Sequence, residues 1–210
     1  MSNYQLFHND LPTKVLKSFK GDISIDTETL GLNIKRDRLC LIQLRNETNK
    51  KIYLIKFDKT ISGKNSKNLK SLMENKALCK IFHYARFDMA ILKENLNINV
   101  KNIFCTKIAS KLTRTYSSNH GLKDLVRETL NIELDKTEQT SDWGQAKLTQ
   151  KQIQYAINDI LYLFNIKNSL GSKLEELKRL KTFNNIMKFM ETRVQLDLMG
   201  WENNDIFAHK

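Results

Sequence analysis

Proline, glycine and cysteine are scarce in this chain. Among its 210 residues there are one proline, seven glycines and three cysteines. So little proline and glycine excludes collagen-like and low-complexity proteins. The cysteines, Cys40, Cys79 and Cys105, are odd in number, widely spaced and set in apolar runs. This pattern argues against a disulfide framework or a zinc site and predicts small buried side chains in a reducing compartment.

Long apolar runs are also missing. No stretch approaches the ~20 apolar residues that a transmembrane helix needs. Residues 1–5 lack the basic segment, followed by an apolar block, that is typical of a signal peptide. We therefore expect a cytoplasmic protein with no membrane partner.

Positive charge is present in excess. The chain has 35 Lys and Arg against 23 Asp and Glu, a net charge of +12, with 40% hydrophobic residues and a mean hydropathy of −0.48. This composition is typical of a folded domain, and the length predicts a single domain over residues 1–210. The surplus favours a polyanionic partner such as nucleic acid, although scattered lysines also suit an ordinary solvated surface.

The hydrophobic pattern predicts an α/β fold. Residues 22–26 alternate apolar and polar side chains, and strands at 39–44 and 51–57 follow after short connections, which favours an antiparallel meander. Further strands are expected at 77–83 and 102–105, and helices at 68–75, 86–95, 106–114, 122–130, from Thr149 to about Leu163, and on to Leu198 with breaks near Gly171 and Lys181. We expect a mixed sheet, the meander followed by parallel strands, flanked by helices.

Two carboxylates stand close together at the end of the first of these strands. Asp26 and Glu28 are two residues apart, and the strand period of two puts both on the same face. Like charges at the end of a buried strand are costly unless a cation lies between them. Hard divalent cations such as Mg²⁺ prefer these oxygen ligands.

Two further acids and a tyrosine complete the candidate site. Asp88 falls at a strand-to-helix junction, and Tyr155 and Asp159 are neighbours on one helical face. Thr149 and Gln152 form a capping-box pattern at the start of that helix. Taken singly, each group also fits a simpler role. Asp26 and Glu28 fit a solvated acid pair, and Asp88 fits an acid at a helix N-terminus. Tyr155 and Asp159 fit a surface pair on a helix. Their order along one basic chain favours a shared metal site.

These three groups resemble the motifs of the DEDD superfamily of 3′–5′ exonucleases, in the branch whose third motif contains tyrosine. Residues 25–32, 82–88 and 155–163 are similar to the first, second and third motifs. The sequence is similar to ribonuclease D across its catalytic domain, and most resembles the short NrnC-type nanoRNases. Further likeness to that subgroup is carried by residues 105–112, 114–116, 120–125, 141–144 and 200–209. We expect no additional C-terminal helical domain.

The resemblance implies an RNase H-like fold with two divalent cations, Mg²⁺ or Mn²⁺. It implies that Asp26, Glu28, Asp88 and Asp159 hold the metals and that Tyr155 orients or helps deprotonate the attacking water. It implies hydrolysis of very short RNA oligonucleotides, dinucleotides in particular, to nucleoside 5′-monophosphates. It also implies a homo-oligomer, with an octameric ring expected.

The substrate-binding residues are less sharply defined by the sequence. Candidates for contacts with bases or phosphates are Leu30, Gly31, Leu32, His83, Arg86, Arg114, His120 and Trp143. For each of them an ordinary structural role in a turn, the core or a solvated surface remains open. Three other functions also remain open: trimming of longer RNA as in ribonuclease D, 3′–5′ cleavage of DNA, and non-catalytic binding of nucleic acid.

Overall fold

Six strands, eight α-helices and one π-helical turn lie in the part of the chain that the computed structural model describes, residues 4–59, 66–134, 138 and 140–209. The strands are β1 (Tyr4–His8), β2 (Ile23–Thr29), β3 (Leu39–Asn46), β4 (Ile52–Lys56), β5 (Lys80–Phe82) and β6 (Ile103–Cys105). The helices are α1 (Thr13–Leu16), α2 (Lys67–Glu74), α3 (Ala85–Leu96), α4 (Thr106–Thr113), α5 (Leu122–Leu130), α6 (Gln150–Leu161), α7 (Leu163–Glu176) and α8 (Leu180–Leu196).

The strands form one mixed sheet in the order β1-β4-β3-β2-β5-β6. The pairs β2–β3 and β3–β4 are antiparallel, whereas β1–β4, β2–β5 and β5–β6 are parallel. The predicted meander followed by parallel strands is therefore confirmed. Strand β1 was not predicted from the pattern, because it lies at the sheet edge and none of its residues is fully buried. An edge strand of this kind lacks a strong apolar alternation.

The sheet has a hydrophobic core on each face. Ile25 and Ile42 lie in one cluster with Met89 of α3, whereas Leu41 lies in another with Ile157 of α6. Successive residues of a strand point to opposite faces, so β3 is buried on both sides. This explains the nearly unbroken apolar run of residues 39–44, in which burial of each large side chain contributes about 1.5–3 kcal/mol.

The helical C-terminal part differs from the prediction at one point. The break expected near Gly171 is wrong, because α7 continues through this residue to Glu176. The second predicted break, near Lys181, is present slightly earlier, at residues 177–179, where Lys178 has a φ of 55°. Glycine weakens a helix by about 1 kcal/mol relative to alanine, which neighbouring helical residues and packing can outweigh. The helical segment predicted to reach Leu198 ends close to that residue: α8 ends at Leu196, a π-helical turn covers Asp197–Trp201, and Gly200 in this turn has a φ of 101°.

The described cysteines are free thiols, with Cys40 and Cys105 buried and Cys79 half-buried. Within the described ranges, no helix combines the length and the apolar character that a bilayer crossing requires.

Candidate active site

Three carboxylates converge where α6 packs against β2. Asp26 and Glu28 extend from one face of β2, whose register shifts between Glu28 and Thr29. Asp159 approaches from α6, one turn after Tyr155. One carboxylate oxygen of each acid lies within 4.8 Å of those of the other two. Residues separated by 133 positions in the chain thus offer a compact set of oxygen ligands.

The fourth acid approaches from the opposite side of β2. Asp88 lies in the first turn of α3, is 4% exposed, and accepts a hydrogen bond of 2.7 Å from the hydroxyl of Thr27. It lies outside the group of three acids described above, but its charge raises the pKa values of Asp26 and Glu28. The structure therefore brings all four predicted acids into one electrostatic neighbourhood.

Burial and mutual repulsion shape the ionisation of this cluster. Desolvation, followed by repulsion from Asp88 and Asp159, raises the pKa of Asp26 well above its usual value. Desolvation and repulsion from the same two acids also raise the pKa of Glu28. Burial raises the pKa of Asp88 to about 7. Such a set of acids fits a hard divalent cation, which would favour their ionised forms.

Tyr155 stands beside the acids rather than on an open surface. Burial raises the pKa of its phenol, and the charges of Asp159, Glu28 and Asp26 raise it further. Its ring lies 6.0 Å from that of Trp143, tilted by 46°. A phenol in this setting stays protonated at neutral pH, so it is a hydrogen-bond donor.

The start of α6 is fixed by the predicted capping box. The hydroxyl of Thr149 accepts from the Gln152 backbone, and the Gln152 side chain accepts from the Thr149 backbone. Gln152 also donates to Ser141 and to the carbonyl of Asp142. These bonds fasten the helix that carries Tyr155 and Asp159 to the preceding loop.

An apolar lip follows the acid pair on β2. Leu30 and Leu32 are 51% and 84% exposed, and together they offer an apolar surface that suits contact with a ligand. The position between them favours glycine, because a Cβ at residue 31 would lie 2.3 Å from the carboxylate of Asp37. The structure thus places these three substrate candidates next to the acids, at the surface.

Two further candidates are already held by protein partners near α3. The Nδ1 of His83 lies 3.0 Å from the hydroxyl of Thr106. Arg86 makes two hydrogen bonds to Asp197, of 2.5 and 2.7 Å, and a third to the carbonyl of Glu202. Asp197 is buried, so Arg86 fastens the chain beyond α8 to the helix that carries Asp88.

Of the last three candidates, Arg114 and Trp143 are buried and His120 is half-buried. Arg114 is 3% exposed and pairs with Glu128, and Trp143 is 2% exposed within the core on the α6 face. His120 Nδ1 lies 2.8 Å from the hydroxyl of Ser110. The structure gives Arg114 and Trp143 packing and ion-pair roles in place of a substrate-facing surface. A single sequence does not distinguish these roles, because the partners lie on other elements.

The structure also adds residues that the sequence reasoning missed. Thr27 holds Asp88, and the Gln43 amide donates to Glu28 over 3.4 Å. Tyr84, 43% exposed just before α3, has the ammonium of Lys107 4.5 Å from its ring centroid. For Gln43 a signal existed: it is a polar residue inside the apolar run 39–44.

A mixed sheet with three converging acids, a fourth acid nearby and a half-buried tyrosine fits a nuclease. The family model for 3′–5′ exonucleases matches residues 7–175. The chain belongs to this exonuclease family.

Individual relatives agree with this assignment. Ribonuclease D of Desulfotalea psychrophila is 32% identical over 166 residues, which cover 79% of this chain and 43% of the relative. The chain thus spans less than half the length of that relative. The structure of Brucella melitensis NrnC bound to pGG is 41% identical, with a TM-score of 0.92 and full coverage of both chains. The structure of the same protein with bound Mg²⁺ is 40% identical, with a TM-score of 0.91 and full coverage of both chains.

Proposed function

We propose that this protein is a two-metal-ion 3′–5′ exoribonuclease that hydrolyses very short RNA, dinucleotides foremost, to nucleoside 5′-monophosphates. The observation that carries the proposal is the convergence of oxygens from Asp26, Glu28 and Asp159 within 4.8 Å, with Asp88 buried nearby. Membership of the 3′–5′ exonuclease family supports the direction of cleavage. The pGG bound to the similar B. melitensis NrnC supports a short substrate.

The metal site would be held by the four acids. Bound Mg²⁺ or Mn²⁺ would supply positive charge to the attacking and leaving oxygens of the phosphodiester. In the proposal, Asp26 would help to hold both ions, Glu28 and Asp159 would help to hold the ion on the water side, and Asp88 would help to hold the other. Mutual repulsion among the acids supports cation binding at this site, because bound cations would relieve it.

Tyr155 would orient the attacking water as a donor. Its hydroxyl lies beside Asp159 and Glu28, whose charges act on it directly, so it would reach a water held at this site. The proton of the water would pass to a carboxylate or to solvent.

The substrate surface would combine an apolar lip with a cationic aromatic pair. Leu30 and Leu32 present exposed apolar side chains beside the acids. Tyr84 offers a ring face for a base, and Lys107 offers charge to a phosphate. None of these four side chain types by itself distinguishes RNA from DNA, so preference for RNA over DNA rests on the resemblance.

One turnover experiment tests this function against its alternatives. Labelled RNAs of two to ten nucleotides, and DNAs of equal length, are incubated with Mg²⁺, with Mn²⁺ or with EDTA. We expect the RNA dinucleotide to be converted fastest and EDTA to stop all cleavage. Asp26→Asn should lower the rate by at least 10²–10³-fold, whereas Asp124→Asn, a surface acid paired with Arg127, should not.

Each alternative has its own outcome in that experiment. Trimming of long RNA with intact dinucleotides would support a ribonuclease D-like role. Faster cleavage of DNA would support a DNA exonuclease. Binding without cleavage, unaffected by EDTA and weakened by salt, would support a non-catalytic nucleic-acid-binding protein.

We also propose that the chain forms a homo-oligomer, an octameric ring by resemblance, in the cytoplasm. The C-terminal part exposes Phe189, Met199, Trp201, Ile206 and Phe207, an apolar group that suits contact with a second copy. Free thiols suit a reducing compartment. Light scattering after size-exclusion chromatography would give the mass of the assembly, and a monomer at micromolar concentration would overturn the proposal.

A further inference from the structure

Gln43 is a polar side chain in a place where packing alone favours an apolar one. It lies in the run of residues 39–44 on β3 and is 0% exposed. Leu41 and Leu54 line the same side of the sheet in the core beneath α6. A leucine or methionine at position 43 would join this core without the free-energy cost of burying an amide. The position therefore calls for an explanation other than packing.

The register of the sheet places Gln43 against the acids. It lies directly opposite Asp26 in the antiparallel β2–β3 pair, so both side chains lie on the same face. Its Nε2 donates to Oε1 of Glu28 over 3.4 Å. Its own Oε1 is buried and has no hydrogen-bond partner among the residues that the structure describes. An unsatisfied buried oxygen destabilises the fold, which again argues against a purely structural role.

A neutral donor is well suited to this position. A lysine or arginine here would cancel part of the negative charge and would compete with a divalent cation for the same oxygens. An amide holds one carboxylate by a hydrogen bond and leaves the net charge of the cluster unchanged. Hydrogen bonds of this kind from outside a metal site fix the orientation of its ligands.

We propose that Gln43 is a positioning residue of the divalent-cation site, whose amide holds the Glu28 carboxylate in the orientation that accepts the cation beside Asp26 and Asp159. The proposal rests on the metal site of the proposed function. It does not depend on which nucleic acid is cleaved.

The test measures Mn²⁺ binding without RNA, by isothermal titration calorimetry on the full chain. Gln43→Met keeps the length of the side chain and removes the donor. We expect its Mn²⁺ dissociation constant to rise about 10–100-fold. Leu41→Met is the matched control, because it changes packing on the same face of the same strand. It should bind Mn²⁺ as the wild type does. An unchanged dissociation constant in Gln43→Met would overturn the proposal.

Two further measurements separate positioning from general damage. Gln43→Asn keeps the amide but is one methylene too short to reach Glu28, so we expect the same loss of Mn²⁺ affinity; it also decides the question if Gln43→Met fails to fold. In a Glu28→Ala background, Gln43→Met should weaken Mn²⁺ binding no further, because its partner is gone. An equal loss in both backgrounds would overturn the proposal.

Mn²⁺ binding and RNA cleavage together distinguish a failure of the positioning role from a failure of the nuclease assignment. If wild-type protein binds Mn²⁺ and Gln43→Met weakens binding, but RNA is not cleaved, the positioning role stands and the nuclease assignment fails. If RNA is cleaved and both position-43 variants bind Mn²⁺ normally, the assignment stands and the positioning role fails.

Discussion

Thr27 of β2 donates its hydroxyl to the carboxylate of Asp88 on α3 over 2.7 Å, with both side chains buried. Thr27 lies between Asp26 and Glu28 and points to the opposite face of the strand. The bond therefore connects the strand that carries two acids to the helix that carries a third. It also lowers the pKa of Asp88, in opposition to the effect of burial.

Loss of this hydroxyl should weaken both the fold and the site. Thr27→Val keeps the shape of the side chain but removes the hydroxyl that donates to the Asp88 carboxylate, so we expect the free energy of unfolding to fall by about 1–3 kcal/mol. Activity at limiting Mg²⁺ should fall about 10-fold or more. Thr27→Ser, which keeps the hydroxyl, is the control for urea unfolding and for turnover. Equal loss in both variants would contradict a role for the hydrogen bond.

The pH dependence of the metal-free protein should reflect the raised pKa of Asp88. With a pKa of about 7 when folded and about 4 when unfolded, Asp88 contributes most to stability below pH 4. That contribution is lost as pH rises to about 7, because the unfolded state releases its proton first. The measurement is the difference between wild type and Asp88→Asn in urea unfolding with EDTA. We expect this difference to shift against the wild type by several kcal/mol from pH 4 to pH 7, and a constant difference would contradict the raised pKa.

Metal binding should reverse the instability of the acid cluster. In EDTA at pH 7.5, we expect Asp26→Asn to melt at a higher temperature than the wild type, because it removes one of the mutually repelling charges. With Mg²⁺ at about 100 times its dissociation constant, the wild type should gain about 2.7 kcal/mol, and the variant little. Thermal unfolding followed by circular dichroism checks both results. A wild type that is insensitive to Mg²⁺ would argue against the metal site.

Two glycines should respond to alanine in opposite ways. At Gly31 a Cβ would lie 2.3 Å from Asp37, whose carboxylate is held by Arg36 and by the backbone of Asn33. We expect Gly31→Ala to cost about 1–3 kcal/mol and to raise KM by displacing the apolar lip. Gly171 on α7 has nothing within 4 Å of a Cβ, so Gly171→Ala should stabilise by about 0.5–1 kcal/mol. Urea unfolding and initial rates of both variants check these signs.

We expect the main role of Arg86 to be stabilisation of the fold and not contact with a substrate phosphate. It pairs with Asp197, whose side chain is 2% exposed and also accepts from Arg193. Removal of one partner leaves a buried charge under-compensated, so we expect Arg86→Ala to lower the free energy of unfolding by about 3 kcal/mol. A large rise in KM with unchanged unfolding would instead support the phosphate contact inferred from sequence.

The metal-site candidates were accessible from the sequence because their spacing is local. A strand period of two aligns Asp26 with Glu28, and a helical turn aligns Tyr155 with Asp159. The structure brings these residues together as that reasoning expected. Their catalytic roles remain predictions until the variants are measured.

The roles of the substrate candidates were harder to predict, because the sequence does not show which distant residue each side chain pairs with or packs against. Arg114 is buried against Glu128, which lies 14 residues away on α5. Trp143 is enclosed in the core beneath α6. Strand β1 was not predicted for a related reason. Its position at the sheet edge depends on pairing with β4, in which Tyr4 lies opposite Ile52, 48 residues further along the chain.

The sequence by itself determined the α/β alternation, the mixed sheet and the acids at its centre, because strand and helix periods depend on near neighbours. Only the tertiary structure decided which charges are satisfied within the protein and which face solvent. It paired Arg86 with Asp197, placed Gln43 against Glu28 and left Leu32 exposed. Burial and desolvation arise from contacts between distant segments, and these contacts exist only once the chain has folded.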